Sequence, residues 1–198
     1  MSKLLSRNIF DALGGTWNLR RTILSKLPTS PSGRVTGTAT LLPYSWPPHP
    51  TFLYSEVGEF KTKSGQVLQA YKKYLYHYDE GNVPDWERVS VWYVKEARDN
   101  NNGNSQKVEP GSLLHRLDHE GLLVDDGEPD MVGEPVSGSW TATASHECGK
   151  DQYDATYDFN FKGGELRDWR LQYTVKGPEK DYSTDTWFSQ GDRGLGSS

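Results

Sequence analysis

The segment from Trp169 to Tyr182, WRLQYTVKGPEKDY, alternates between large apolar and polar side chains until it reaches a Gly-Pro turn. Successive side chains of a β-strand point to opposite faces, and an antiparallel sheet with one buried face produces this alternation. The face predicted to be buried carries Trp169, Leu171, Tyr173 and Val175. The segment therefore predicts a strand, a turn and the start of another strand.

The same period of two recurs along most of the chain, with turn residues between the runs. Runs of this kind cover residues 17–23, 35–41, 52–58, 68–76, 86–94, 112–117, 121–124, 138–146 and 153–161. We therefore predict an all-β fold, a single antiparallel up-and-down β-barrel of about nine or ten strands.

Length and local composition predict how the chain is organised. The 198 residues fit one domain, because β-barrels of about 200 residues commonly form a single unit. Ile9, Phe10 and Leu13 share one side of a short predicted helix, so we expect residues 1–13 to cap the barrel. Residues 95–110 are polar and lack periodicity, which predicts a flexible surface loop.

Charge and cysteine content narrow the class of partner. The net charge of -5 and the lack of a dense Lys/Arg run argue against nucleic acid. Cys148 is the single cysteine, so no internal disulfide can form, and no apolar stretch is long enough for a secretory signal or a membrane span. We expect a cytoplasmic protein; both a monomer and a homodimer stay open.

Several polar residues keep step with apolar neighbours on the predicted inner face. They are Arg21, Glu56, Lys72, His115 and His146. A buried charge is costly unless it is paired or contacts a polar ligand. These residues therefore predict either an internal ion-pair network or the polar part of a ligand pocket.

The segment from His146 to Tyr153 concentrates residue types that carry out acid–base chemistry. His146 could move a proton near neutral pH, with Glu56 or Asp151 orienting its ring. Tyr153 or Tyr74 would donate a hydrogen bond, and Arg21 with Lys72 would stabilise an anion. The alternative is a structural corner in which Cys148 packs, Asp151 forms an Asx turn and Tyr153 hydrogen-bonds across the corner.

The aromatic content of 12% suits a pocket lined with rings. We expect the ligand-binding side chains to be Trp17, Tyr54, Tyr74, Trp92, His115, Tyr157, Trp169 and Tyr173. The leading hypothesis is a cofactor-independent isomerase or cyclase that acts on a small, largely apolar or aromatic metabolite, as in secondary biosynthesis. The alternatives are a non-catalytic carrier or sensor and a haem-binding, nitrobindin-like barrel with His115 or His146 as the axial ligand.

Other cofactors are not expected from the sequence. The chain has no phosphate-binding glycine loop and no dinucleotide fingerprint. A metal site built on His115, His119 and His146 matches no known ligand spacing.

Three motifs together resemble the DUF6314 family over most of the chain. The pattern G-x-W-x-L-x-R-x-I is present as Gly15, Trp17, Leu19, Arg21 and Ile23. The pattern H-x-C-x-x-D-x-Y is present as His146, Cys148, Asp151 and Tyr153, and V-x-G-P-x-K-D-Y as Val175, Gly177, Pro178, Lys180, Asp181 and Tyr182. At Lys72 the chain departs from the family pattern, which has Arg. The resemblance implies a calycin-like barrel, related in shape to lipocalins, and no established reaction.

Overall fold

The computed structural model describes residues 3–84, 87–97, 107–118 and 138–191, which form one helix and ten strands. The elements are α1 (Lys3–Leu13), β1 (Gly15–Ser25), β2 (Gly33–Pro43), β3 (Thr51–Thr62), β4 (Val67–Tyr78), β5 (Val89–Ala97), β6 (Lys107–Arg116), β7 (Gly138–Cys148), β8 (Asp151–Lys162), β9 (Glu165–Lys176) and β10 (Asp181–Gln190).

All ten strands belong to one antiparallel sheet, in the order β6-β5-β4-β3-β2-β1-β10-β9-β8-β7. The edge strands β6 and β7 approach each other, and a bridge between Asp118 and Thr143 joins them. Asp118 N donates to Thr143 O at 2.6 Å, and Thr143 N donates to Asp118 O at 2.9 Å. The sheet is thus a nearly closed barrel, which confirms the predicted all-β, up-and-down architecture.

Two predicted boundaries differ from the structure. β5 continues to Ala97 and β6 begins at Lys107, so strands extend into the segment 95–110 that the sequence assigned to a loop. Lys95 pairs with Glu109 in this ladder, and a strand with polar residues lacks the hydrophobic alternation that would predict it. Residues 98–106, and the strand predicted at 121–124, lie outside the described residues.

Helix α1 closes one end of the barrel. Ile9, Phe10 and Leu13 are each 1% exposed and belong to the hydrophobic core. The ring of Phe10 stacks on Phe52 with 4.8 Å between centroids, and the indole Nε1 of Trp17 donates to Leu13 O at 2.9 Å. We call this the closed end. Within the described residues no helix is long and apolar enough to cross a membrane.

Large side chains fill the half of the barrel next to α1. Trp17 and Trp169 meet edge to face at 6.2 Å, and Trp169 stacks on Phe188 with 3.6 Å between ring centroids. Leu19 and Phe159 are buried in the same cluster. This filled half leaves the opposite end, where β1 reaches Ser25 and β10 begins, as the place for a cavity.

Candidate ligand-binding cavity

A buried ion pair lies at mid-height inside the barrel. Arg21 Nη1 and Nη2 donate to Glu56 Oε1 and Oε2 at 2.6 and 2.8 Å. Arg21 Nε donates to Thr186 Oγ1 at 2.8 Å, and Tyr54 donates its hydroxyl proton to Glu56 Oε2 at 2.6 Å. Burial acts to raise the pKa of Glu56, but the hydrogen bonds and charge of Arg21 outweigh burial and lower it. The pair is therefore ionised and internally satisfied.

A cavity of about 420 Å³ lies beyond this pair, toward the end opposite α1. A narrow extension of about 30 Å³ reaches Arg21 and Tyr54 and shares Lys72, Tyr74 and Tyr173 with the main cavity. Five tyrosines and two lysines line the main cavity: Tyr74, Tyr93, Tyr153, Tyr173, Tyr182, Lys72 and Lys180. The ion pair thus forms the floor of a chamber whose walls are phenol rings.

The hydrogen-bonded ladder between β4 and β5 covers only part of β4. The β4–β5 ladder runs from Tyr78–Val89 to Tyr74–Tyr93, and within the described residues it goes no further. Lys72 lies just beyond the end of this ladder, where β4 is paired with β3. Its side chain lines the cavity and is exposed to water.

The two lysines of the cavity are in different states. Lys180 Nζ donates to the hydroxyl of Tyr153 at 2.6 Å, and this hydrogen bond raises the pKa of Lys180. Lys72 has no hydrogen bond or ion pair with any residue that the structure describes. Burial and the charge of Arg21 lower the pKa of Lys72 to about 8, against the attraction of Glu56.

Four of the five phenols that line the cavity are neutral at physiological pH. Burial raises the pKa of Tyr74 to about 12 and raises the pKa of Tyr93 and of Tyr182 as well. Burial also raises the pKa of Tyr173 well above its ordinary value. Each of these four hydroxyls keeps its proton and can donate a hydrogen bond to a ligand.

Behind the cavity wall, His115 links two tyrosines. Its Nε2 lies 2.8 Å from the hydroxyl of Tyr157, and its Nδ1 lies 3.3 Å from the hydroxyl of Tyr173. Burial and the neighbouring His146 lower the pKa of His115 to about 3, so the ring is neutral. Coordination of a haem iron by His115 would require one of these hydrogen bonds to break.

His146 lies outside the cavity. Its ring stacks on Tyr153 with 4.6 Å between centroids and lines a groove of about 800 Å³ along the junction of β6 and β7. Its Nε2 is buried without a hydrogen-bond partner among the described residues, and burial lowers its pKa. The structure thus separates His146 from Arg21 and Lys72, and its role as acid or base stays a prediction.

The remaining predicted ligand-binding residues divide between the two halves of the barrel. Tyr74 and Tyr173 line the cavity, and Tyr54 lines its extension. Trp17, Tyr157 and Trp169 are buried in the core. Trp92 does not line the cavity: its ring packs against Trp46 with 5.3 Å between centroids, at a β-bulge in the β5–β6 ladder.

Sequence reasoning missed several residues that line the cavity. Tyr93, Lys180, Tyr182 and Thr184 all contribute to its wall. β10 alternates Tyr182, Thr184, Thr186 and Phe188 on its inner face, and the two threonines hide the apolar period. The polar lining of the cavity is the reason why the sequence predicted only the start of this strand.

Asp151 hydrogen-bonds to the turn at the rim of the cavity and does not orient the ring of His146. Its Oδ1 accepts a hydrogen bond from Glu179 N at 3.2 Å, within the turn that leads to Lys180. A Cβ atom at Gly177 would overlap this carboxylate oxygen, so only glycine fits. The second and third sequence motifs therefore meet in space and hold the turn that carries Lys180.

The described residues include no group of three or more His, Cys, Asp or Glu side chains that could hold a metal ion. His119, considered above with His115 and His146, lies outside them.

Comparison with known proteins identifies a family but no activity. The family model DUF6314, described as a family of unknown function, matches residues 13–190. This span includes all ten strands and every residue that lines the cavity. None of the curated proteins matches the chain.

Proposed function

Because the chain belongs to the DUF6314 family, whose function is unknown, we propose a function from the cavity itself: the barrel binds a small molecule at its open end. The observation that carries this proposal is the chamber of about 420 Å³ with its five tyrosines and two lysines. Its volume lies within the range of ordinary small-molecule sites, about 300–1,000 Å³.

The lining favours a ligand with an apolar or aromatic body and an anionic or hydrogen-bond-accepting group. The phenol rings offer apolar faces, and their hydroxyls offer donors. Lys72 and Lys180 add positive charge, and no carboxylate lines the main cavity among the residues that the structure describes. A small organic acid or an oxygenated aromatic compound satisfies both requirements.

Fluorescence titration with 1-anilinonaphthalene-8-sulfonate, an aromatic anion, tests the proposal. Thr184 lines the cavity, whereas the adjacent Ser183 falls on the outer face of β10, so Thr184→Trp fills the chamber and Ser183→Trp is the matched control. We expect Thr184→Trp to weaken dye binding by at least about 10-fold, the loss of a good apolar contact, and Ser183→Trp to retain it. Equal binding by both folded variants would refute a site in this cavity.

Native mass spectrometry of the freshly purified protein addresses the identity of the ligand. A compound that leaves on denaturation, and that is missing from Thr184→Trp but present in Ser183→Trp, would be the cavity's occupant. A compound retained equally by both variants would place its binding site elsewhere on the protein.

A second candidate function is cofactor-independent acid–base catalysis, such as isomerisation or cyclisation. It is favoured by the chain of hydrogen bonds from Tyr173, at the cavity wall, through His115 to Tyr157. Neutral His115 holds Tyr173 in place as a proton donor toward the ligand. The compound released on denaturation, incubated with protein freed of it, should be converted by the wild type and about 100-fold more slowly by Tyr173→Phe. If the wild type does not convert the compound, catalysis is refuted and the protein is a carrier or sensor.

A further inference from the structure

Of the two lysines that line the cavity, only Lys72 lacks a polar partner in the described part of the chain. Glu56 lies directly opposite it in the β3–β4 register. Both carboxylate oxygens of Glu56 are already bound, one by Arg21 and the other by Arg21 and Tyr54. Lys72 therefore lines the cavity with no hydrogen bond or ion pair to its amine from any residue that the structure describes.

This environment produces a reactive amine. Only the neutral form of lysine has the lone pair needed for attack on carbon. With a pKa of about 8, about a tenth of the Lys72 side chains are neutral at pH 7, whereas an ordinary lysine is less than about a thousandth neutral. The Lys72 side chain is also exposed, so the amine is accessible from water.

We propose that Lys72 is the attachment point for a carbonyl ligand: its Nζ attacks an aldehyde or ketone carbon in the cavity and forms an imine. This inference deepens the proposed binding function and rests on it. The placement of Lys72 in both the main cavity and its narrow extension brings the amine to the point where a ligand would end against Arg21.

The step balances without an oxidant or a reductant. The Nζ–C bond forms as the C=O double bond opens, which gives a carbinolamine. The carbonyl oxygen then leaves as water with the two hydrogens of the neutral amine, and the C=N double bond remains. Tyr74 and Tyr173 line the same cavity as protonated phenols and can donate to the departing oxygen.

The walls define the class of carbonyl compound. Tyr74, Tyr93 and Tyr153 line the same cavity as Lys72, and Ile23 and Leu114 add apolar surface. An aromatic or apolar body on the carbonyl carbon is therefore favoured, and Lys180 can receive an anionic substituent. The expected ligand is an aromatic aldehyde or ketone.

Reductive trapping tests the proposal. The purified protein is incubated with 2-naphthaldehyde and sodium cyanoborohydride at pH 7, and intact mass with peptide mapping locates the stable secondary amine. We expect Lys72 to be labelled at least about 10-fold faster than any other lysine, because far more of it is neutral. Lys72→Arg, which keeps the charge without a nucleophilic amine, should lose this adduct, and Lys73→Arg, on the opposite face of β4, should retain it.

The dye titration separates the two proposals. Binding of 1-anilinonaphthalene-8-sulfonate without preferential labelling of Lys72 would overturn the imine and leave the binding function standing. Failure of both measurements would overturn both. Labelling of Lys72 that is unchanged in Thr184→Trp would also overturn the inference, since the reaction would not depend on the cavity.

Discussion

Arg21 and Glu56 face one another across the inside of the barrel, joined by two hydrogen bonds and with side chains only 6% and 1% exposed. The pair separates the half of the interior that is packed with rings from the half that holds the cavity. Its removal should therefore affect stability and ligand binding together.

Arg21→Met should lower the free energy of unfolding by about 3–5 kcal/mol, because it leaves Glu56 buried without its partner. Urea denaturation measures the change. The exposed neighbour Arg20 gives the control, and Arg20→Met should change the free energy by less than about 0.5 kcal/mol.

The double variant Arg21→Met/Glu56→Leu tests whether the unpaired charge of Glu56 causes the loss of stability in Arg21→Met. It removes both charges, so it should be more stable than Arg21→Met alone. A double variant that loses the sum of the two single losses would show that the ion pair itself contributes little.

His115 should make stability depend on pH. Its pKa is lowered from 6.5 to about 3 in the folded protein, so the unfolded chain takes up a proton first as the pH falls. The stability linked to this group is complete above about pH 6.5 and is lost as the pH falls from there toward 3, with a slope of up to about 1.4 kcal/mol per pH unit.

Unfolding free energies of the wild type and of His115→Gln, measured between pH 7.5 and 5, give the comparison. The wild type should lose stability more steeply than the variant, since the variant lacks the group. Parallel pH profiles would mean that the pKa of His115 is the same in the folded protein as in the unfolded chain.

Packing at the closed end should contribute to stability without affecting ligand binding in the cavity. Phe10 packs against Phe52 and Tyr78, with centroids at 4.8 and 5.4 Å, so Phe10→Ala should cost about 3–5 kcal/mol of stability. Dye affinity, measured at 10 °C on a variant shown by circular dichroism to be folded, should stay within about twofold of the wild type. A loss of affinity comparable to that of Thr184→Trp would show that α1 helps to shape the cavity.

The turn before Lys180 should tolerate no side chain at Gly177. Gly177→Ala places a methyl group against Asp151 and should cost about 1–3 kcal/mol, as overpacking does. Gly191→Ala is the matched control, since a Cβ there would lie 3.6 Å from the nearest atom, Asn18 Nδ2, an ordinary contact. Equal thermal melting temperatures for the two variants would contradict this reading of the motif.

The fold was predictable because each strand buries one face. The alternation around Trp169, and the similar runs in β1 and β8, follow directly from a barrel with a wet exterior and an apolar interior. Where both faces are polar, as at Lys95 and Glu109 in the β5–β6 ladder, the pattern vanishes and the strand boundary was missed.

The site was predictable only in part. Arg21, Glu56 and Lys72 were identified because their period placed charges on the inner face. The height of each residue along the barrel depends on the register between distant strands, which alternation does not encode. Trp169 was therefore taken as a ligand contact although it lies in the filled half, and Tyr182 was overlooked although it lines the cavity.

The bridge between Asp118 and Thr143 is the weakest backbone connection between neighbouring strands in the described part of the barrel. Every other pair of adjacent strands is held by a ladder of five or more paired residues, whereas two backbone hydrogen bonds fasten β6 to β7 in the described chain. Local opening has its lowest free energy where the fewest contacts must break. Within the described residues the barrel is therefore a curled sheet whose two edges are joined by one bridge, and we expect local opening to begin at this junction while the ladders stay paired.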